Sequence, residues 1–152
     1  RGAASPASAS AWVASKASKQ ELAAEVEHKY FGYQSSLRQY AAILYLRPTV
    51  SIILRGQPVT NRSIANDLKL VRPELYQPRG HPRVYEIKLG FVNEAPNAAV
   101  SGCNVYCRNR LIKAMWGVYS SASSHGRGVV GVVEIDFIRP AHDKQDFEHG
   151  DA

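Results

Sequence analysis

The sequence predicts an α+β domain, a mostly antiparallel sheet with helices packed on one face. Three observations lead there. Two apolar stripes with helical spacing come first, at Leu22, Val26 and Tyr30 and then at Leu37, Tyr40, Ala41 and Leu44. Strand-like runs then fill residues 84–138. The order is therefore helix, strand, short helix and several strands, with no internal repeat.

The elements follow in chain order. Residues 1–17 form an Ala/Ser tract without periodicity, expected to be a disordered tail. Ser18 and Glu21 make a capping box for a first helix, which Gly32 ends; residues 18–33 are read as helix and linker. Residues 34–149 are read as the folded domain. Its first helix is capped by Ser36 and Gln39, with Pro48 beyond its end. Val50 to Leu54 reads as a mostly buried strand closed by Arg55-Gly56-Gln57-Pro58, and Ser63 to Leu68 as a short helix at most.

Strands dominate from there. Glu74 to Gln77 is a weak strand between two prolines, and Val84 to Val92 alternates cleanly. Ser101 to Cys107 and Leu111 to Val118 are two strands, or one long strand bent at Asn109-Arg110. Ser120 to Gly128 is a small-residue loop, expected to be mobile. Val129 to Ile138 is the most hydrophobic strand; Pro140 breaks it, and a helix is expected to start at Asp143.

Composition narrows the function. With 152 residues, 45% of them hydrophobic and 21% charged, the chain is long and apolar enough for one domain with a core. No uncharged apolar run approaches the about 18–20 residues of a membrane span, and no secretory signal pattern is present. An intracellular setting is expected. The chain begins at Arg1, as a fragment, a processed product or an incomplete gene model would.

Cys103 and Cys107 lie in one strand-like run, so their Cα atoms would stand roughly 13 Å apart, too far for a disulfide. Two reduced, partly buried thiols are expected. The five histidines are scattered and give no metal spacing. The net charge of +6 is uneven. Acids are sparse from Arg38 to Arg127 and dominate from Glu134 onward. A basic body of this kind suits a nucleotide or nucleic acid, or simply a solvated surface.

Three motifs carry chemistry. Gly126, Gly128 and Gly131 spell GxGxxG, but a loop precedes them and a β-branched run follows, the reverse of a dinucleotide site. They read as turn and packing glycines. Tyr106 to Lys113 is the densest basic cluster. On a regular strand Tyr106, Arg108 and Arg110 would share one face, with Asn109 and Lys113 on the other. Arginines beside an aromatic suit phosphate contact and base stacking, or an inter-domain salt-bridge surface. The third motif is His142-Asp143-Lys144-Gln145-Asp146-Phe147. Lys144 could carry a point charge to a terminal phosphate, or pair with Asp143 or Asp146 at the surface.

Several of these runs together resemble a known family. Ser36-Leu37-Arg38-Gln39-Tyr40-Ala41, Ile52 to Val59, Asn104-Val105-Tyr106, Arg108 to Ile112, Gly128 to Val132 and His142 to Phe147 stand in the order and spacing of the second domain of microrchidia (MORC) ATPases. Ile64 to Lys69 and Gly90 to Pro96 are most similar to plant-type members. The resemblance covers roughly Tyr30 to Glu148. It implies a ribosomal protein S-five domain-two-like fold, the transducer domain of a GHKL ATPase.

In that family ATP and Mg²⁺ sit in a separate N-terminal ATP-binding domain, and a transducer lysine reaches the γ-phosphate. The resemblance assigns that role to Lys144, with Gln145 as a companion. It also implies ATP-dependent dimerisation, DNA binding, a nuclear location and gene silencing. Cys107 replaces the histidine and Ala114 the proline of many members. The DxGxG motif and the ATP-site Glu and Asn of the family do not occur here, so this polypeptide alone is expected not to hydrolyse ATP. The other reading of the same residues is a stand-alone nucleic-acid-binding module built on Arg108, Arg110 and Lys113.

Overall fold

The computed structural model describes residues 6–93, 99–117 and 126–148, with side chains described from Ser18 onward. Among the described residues, two α-helices, α1 (Pro6–Phe31) and α2 (Leu37–Ile43), precede seven strands. The strands are β1 (Ile52–Leu54), β2 (Gln57–Val59), β3 (Leu68–Tyr76), β4 (Tyr85–Val92), β5 (Gly102–Cys107), β6 (Arg110–Trp116) and β7 (Val129–Glu134). β1 and β2 form a separate hairpin, and the remaining five make one sheet in the order β3-β4-β7-β5-β6. Only the β5–β7 pair is parallel. This is the α+β, mostly antiparallel arrangement that the sequence predicts.

α1 runs back into the Ala/Ser tract as far as Pro6, so Ser18 lies inside the helix and does not cap it; residues 1–5 of that tract lie outside the described residues. Alanine is the strongest helix former, and Pro6 suits a first helical position, where a missing N–H does no harm. Of the described side chains of α1, Val26 and Tyr30 are buried in the core, while Leu22 is exposed. α2 starts as predicted. The Ser36 side chain accepts the Gln39 amide at the N-cap. The Gln39 side chain does not close the capping box and meets His28 instead.

The β1–β2 hairpin corrects one expectation. Its turn residues Arg55 and Gly56 both have positive φ, 52° and 73°, which matches strand twist in a two-residue hairpin. The strand is not mostly buried, however. Ile53 and Val50 are exposed, because this hairpin lies outside the main sheet.

β3 begins well before the weak strand read at Glu74. Its edge position tolerates Pro73, and a bulge at Leu70, with φ of 52°, breaks the alternation that would have revealed it. The 3-10 turn at Ile64–Asp67 is the short helix expected there. The small-residue loop at 120–128 falls mostly outside the described residues; Gly126 and Gly128 are positive-φ turn positions entering β7. A Cβ on Gly131 would lie 2.9 Å from Cys103 Sγ and from a Leu89 methyl. The GxGxxG run is therefore turn and packing.

Two apolar clusters sandwich the sheet. Val26, Tyr30, Ile43, Tyr106, Leu111 and Val130 join the helices to one face. On the other, Tyr85, Val105, Ile112, Val133, Ile135 and Phe147 pack together. Central β7 is buried between β4 and β5, which is why it reads as a continuous apolar run. It ends at Glu134 and not at Ile138. Asn104 is fully buried, and its side-chain oxygen accepts the Met115 amide at 2.7 Å, bridging an irregular stretch of the β5–β6 ladder.

Gly102 has φ of 146°, and a Cβ there would approach the Met115 carbonyl oxygen to 2.6 Å. Gly102→Ala is expected to reduce stability by about 1–3 kcal/mol through backbone strain. Urea denaturation followed by circular dichroism checks this; an unchanged midpoint would show that β5 can shift away from Met115.

Candidate functional site

The turn between β5 and β6 fixes one wall of the site. Arg108 and Asn109 take φ of 48° and 72°, a two-residue hairpin geometry. The chain therefore makes two strands here and not one bent strand. The turn also breaks the alternation expected from Tyr106 to Lys113. Cys107 pairs with Arg110, and Val105 with Lys113 across a register shift. Asn109 holds the turn from several sides. Its amide donates to Glu134 Oε1 at 2.7 Å, its carbonyl accepts Leu46 N at 2.9 Å, and its side-chain oxygen accepts Arg47 N at 2.7 Å.

The chain after β7 makes the opposite wall. No helix starts at Asp143. Residues 139–148 instead form a closed loop, because Pro140 and Phe147 pair in an antiparallel bridge. Ala141 N donates to Asp146 O at 2.7 Å, and Glu148 N donates to Arg139 O at 2.9 Å. The Asp143 side chain accepts Gln145 N at 3.0 Å, an Asx turn in place of a helix cap. Three contacts staple the loop to the body. Phe147 is buried in the cluster with Ile112, Lys113 Nζ meets Asp146 at 2.6 Å, and Gln145 Nε2 donates to Tyr40 OH at 3.1 Å.

A cleft of about 540 Å³ lies between these walls. Arg108, Arg110, Arg139 and Lys144 all line it, with Cys107 and Ile112 as apolar lining and Asp136 and Glu148 as its carboxylates. Lys144 is exposed, and its backbone has φ of 59°. A left-handed lysine is a strained position of the sort that accompanies function. Asp146 bonds Lys113 and Asp143 accepts Gln145 N, and Lys144 appears in none of the ion pairs among the described residues. Among the described residues, none of the four cleft cations takes part in an ion pair.

The structure thus brings Lys144 together with Arg108 and Arg110. It does not bring in Lys113, which is half-buried against Asp146, or Gln145, which turns to α2. Arg139 is the residue that sequence reasoning missed. Its only signal was a basic side chain directly before the strand-breaking Pro140. Among the described residues no His, Cys, Asp and Glu group is placed to hold a metal, and no helix is long and apolar enough to cross a membrane.

The electrostatics of the walls are one-sided. Asp136 is held below the usual carboxylate range by the Tyr85 hydroxyl first, then by Arg83, so its charge is already engaged. Burial raises the Cys107 thiol, only partly offset by the positive charges of Arg108 and Lys144. Burial also pushes Cys103 up to about 11. Both cysteines are free, as expected, and are buried more fully than the partial burial expected. They are neutral packing groups at physiological pH.

Comparison with known proteins agrees with the fold. Residues 35–152 match the family described as Morc6 ribosomal protein S5 domain 2-like. The chain belongs to this MORC domain family. It is 48% identical to Protein MICRORCHIDIA 3 of Arabidopsis thaliana over 125 residues, 80% of this chain and 21% of that protein. It is 45% identical to Protein MICRORCHIDIA 5 of the same plant over 129 residues, 78% of this chain and 18% of the relative. MORC family CW-type zinc finger protein 3 of Mus musculus is 40% identical over 116 residues, 75% of this chain and 12% of its own length. The chain thus spans about a fifth or less of these MORC relatives.

Glu134 offers a pH test of the wall. It sits below its ordinary value of 4.5, chiefly through the hydrogen bond from Arg47, with burial opposing and the Asn109 amide assisting. A depressed folded pKa means that its stabilisation is full above the unfolded pKa and is lost as pH falls through the folded one. Glu134→Gln is therefore expected to be less stable than the parent at neutral pH. The two should converge as pH drops below the carboxylate range of about 4. Urea unfolding across pH measures this, and parallel curves would exclude Glu134 as a clamp.

Proposed function

We propose that this chain is the transducer domain of a MORC-type GHKL ATPase and that Lys144 senses the γ-phosphate of ATP held by a separate domain. The observation that supports it is an exposed ammonium on a stapled loop, at a cleft with three arginines, none of the four taking part in an ion pair among the described residues. The loop fixes the Lys144 backbone while the side chain stays available to a neighbouring surface. The described residues supply cations and no metal-ligating cluster, and on this reading adenine and Mg²⁺ are held by the ATP-binding partner domain.

Lys144 would act through differential contact. Facing a triphosphate it gains a charged partner in a site that excludes water; after hydrolysis and release it loses that partner. Only a contact that differs between two states can bias closed against open forms. Gln145, hydrogen-bonded to Tyr40, would carry a shift of the loop to α2 and so act as a positioning residue. The same reading gives the longer protein an ATP-dependent dimer, a nuclear location and a role in DNA-associated chromatin compaction and gene silencing.

The stand-alone nucleic-acid reading has less support. Lys113 is committed to Asp146, and Arg110 faces the cleft, so residues 106–113 present no continuous basic strip. In a longer MORC protein carrying this domain, Lys144→Ala is expected to lower ATP turnover by about 10²-fold or more, the usual loss for a preorganised charge at a transition state. The isolated variant domain should keep its circular dichroism spectrum and unfolding midpoint. Near-normal turnover would take Lys144 out of the mechanism.

A further inference from the structure

The two faces of the sheet are unequally covered. α1 and α2 cover one of them, through Val26, Tyr30 and Ile43. The other is roofed at the end where β5 and β7 finish, by Phe137, Ile138 and Phe147 of the chain after β7. Toward the start of β5 and β7 this second face stays open among the described residues. Leu70 is 79% exposed and Phe91 44%, while Ile87, Leu89 and Val129 are partly buried. A sheet face carrying large apolar groups is normally covered by a further layer, and an open one marks a contact surface.

Two adjoining hollows occupy the open area. One, of about 240 Å³, lies among Ile87, Cys103 and Gly131, and its lining is mostly apolar. The other, of about 300 Å³, lies between Leu70, Arg72 and Phe91. Leu89 and Val129 line both, so the hollows form one groove across β3, β4, β7 and β5. Three inter-strand spacings of about 4.8 Å make that groove roughly 14 Å wide. One α-helix with its side chains measures about 10–12 Å. Neighbouring side chains on one helix face stand about 5–6 Å apart, which suits two adjoining hollows.

The outer edge of the sheet disfavours an added strand. β3 carries a bulge at Leu70 and a proline at Pro73, two features that blunt pairing at an edge. Contact is left to the face. The rim of the groove sets the charge of what lies in it. Arg72 lines the groove, Lys69 stands opposite Phe91 in the β3–β4 ladder, and Arg127 follows Gly126 at the far end. None of these three takes part in an ion pair among the described residues, and Glu74 is the one acid in the described lining.

We propose that this face docks an amphipathic α-helix of a protein partner, with aliphatic residues at i, i+3, i+4 and i+7 in the groove and acidic residues along its flanks. The helix completes a third layer over the open half of the sheet, and its carboxylates meet Lys69, Arg72 and Arg127. The surface lies at the opposite end of the sheet from the Lys144 cleft, so the inference stands apart from the γ-phosphate reading.

The test is fluorescence-anisotropy titration of the chain with a labelled synthetic peptide that has leucines at this helical spacing and glutamates elsewhere. Backbone amide NMR locates the contact. Binding is expected to weaken with salt and to shift Leu70–Arg72, Ile87–Phe91 and Val129–Gly131. A peptide of the same composition with scattered leucines, and one with lysines in place of glutamates, should bind at least tenfold more weakly. Leu70→Asn removes an aliphatic group at a φ of 52° that asparagine tolerates, and is expected to cost about tenfold in affinity. Leu75→Asn, at an equally exposed leucine paired with Glu86 and outside the groove, should change nothing.

Equal binding of the lysine or scattered peptide, shifts confined to other residues, or equal losses in the Leu70 and Leu75 variants would overturn the proposal. So would tighter binding of an extended peptide of alternating leucine and glutamate, which would make the surface a strand acceptor. Sedimentation of the chain alone supplies the last check: self-association that Leu70→Asn abolishes would give the groove to a second copy and not to an acidic helix.

Discussion

The geometry of this domain depends on the corner built around Asn109. Three stretches far apart in sequence meet there: the segment leaving α2, the β5–β6 turn and the end of β7. Asn109 gives its amide to Glu134 and accepts the amides of Leu46 and Arg47, while Glu134 also binds the Arg47 guanidinium. A left-handed asparagine satisfies all of these at once, since its short amide side chain tolerates positive φ and bonds locally. Without the corner, the arginines on either side of Asn109 would have no fixed direction. With it, they look across at the loop that follows β7.

That loop shows how a short irregular segment can be rigid without secondary structure. Residues 139–148 contain neither a helix nor a strand of their own, yet the bridge between Pro140 and Phe147 closes them into a ring of hydrogen bonds. Phe147 anchors the ring in apolar packing, and Asp146 and Gln145 tie it to β6 and α2. Three side chains in a row are thus used up in holding the loop. Lys144, next to them, is left over. Its freedom is a product of its neighbours' commitments.

The sequence revealed the fold where periodicity and side-chain chemistry agreed. The α2 cap at Ser36, the alternation of β4, the buried run of β7 and the packing role of the glycines before it could all be read from residue order. It misled where tertiary context decided. Asp143 has the look of a helix cap, but its side chain turns onto Gln145 and the bridge closes the loop first. β3 was hidden by a bulge at Leu70 and by Pro73, both tolerated only at a sheet edge. Of the candidate site, Lys144, Arg108 and Arg110 were legible from motif and charge. Arg139 was not, because only the loop closure turns it toward the other three. Lys113 shared its neighbours' charge but carried no sign that Asp146 would claim it.

The single parallel pairing, β5 with β7, separates the two ends of the sheet. β4 and β6 end at the end of the sheet where β5 and β7 begin, while the cleft lies where β5 and β7 finish. A change made at that end of the sheet therefore lies a full strand length from the basic wall. The same five strands thus hold the two ends of the domain apart.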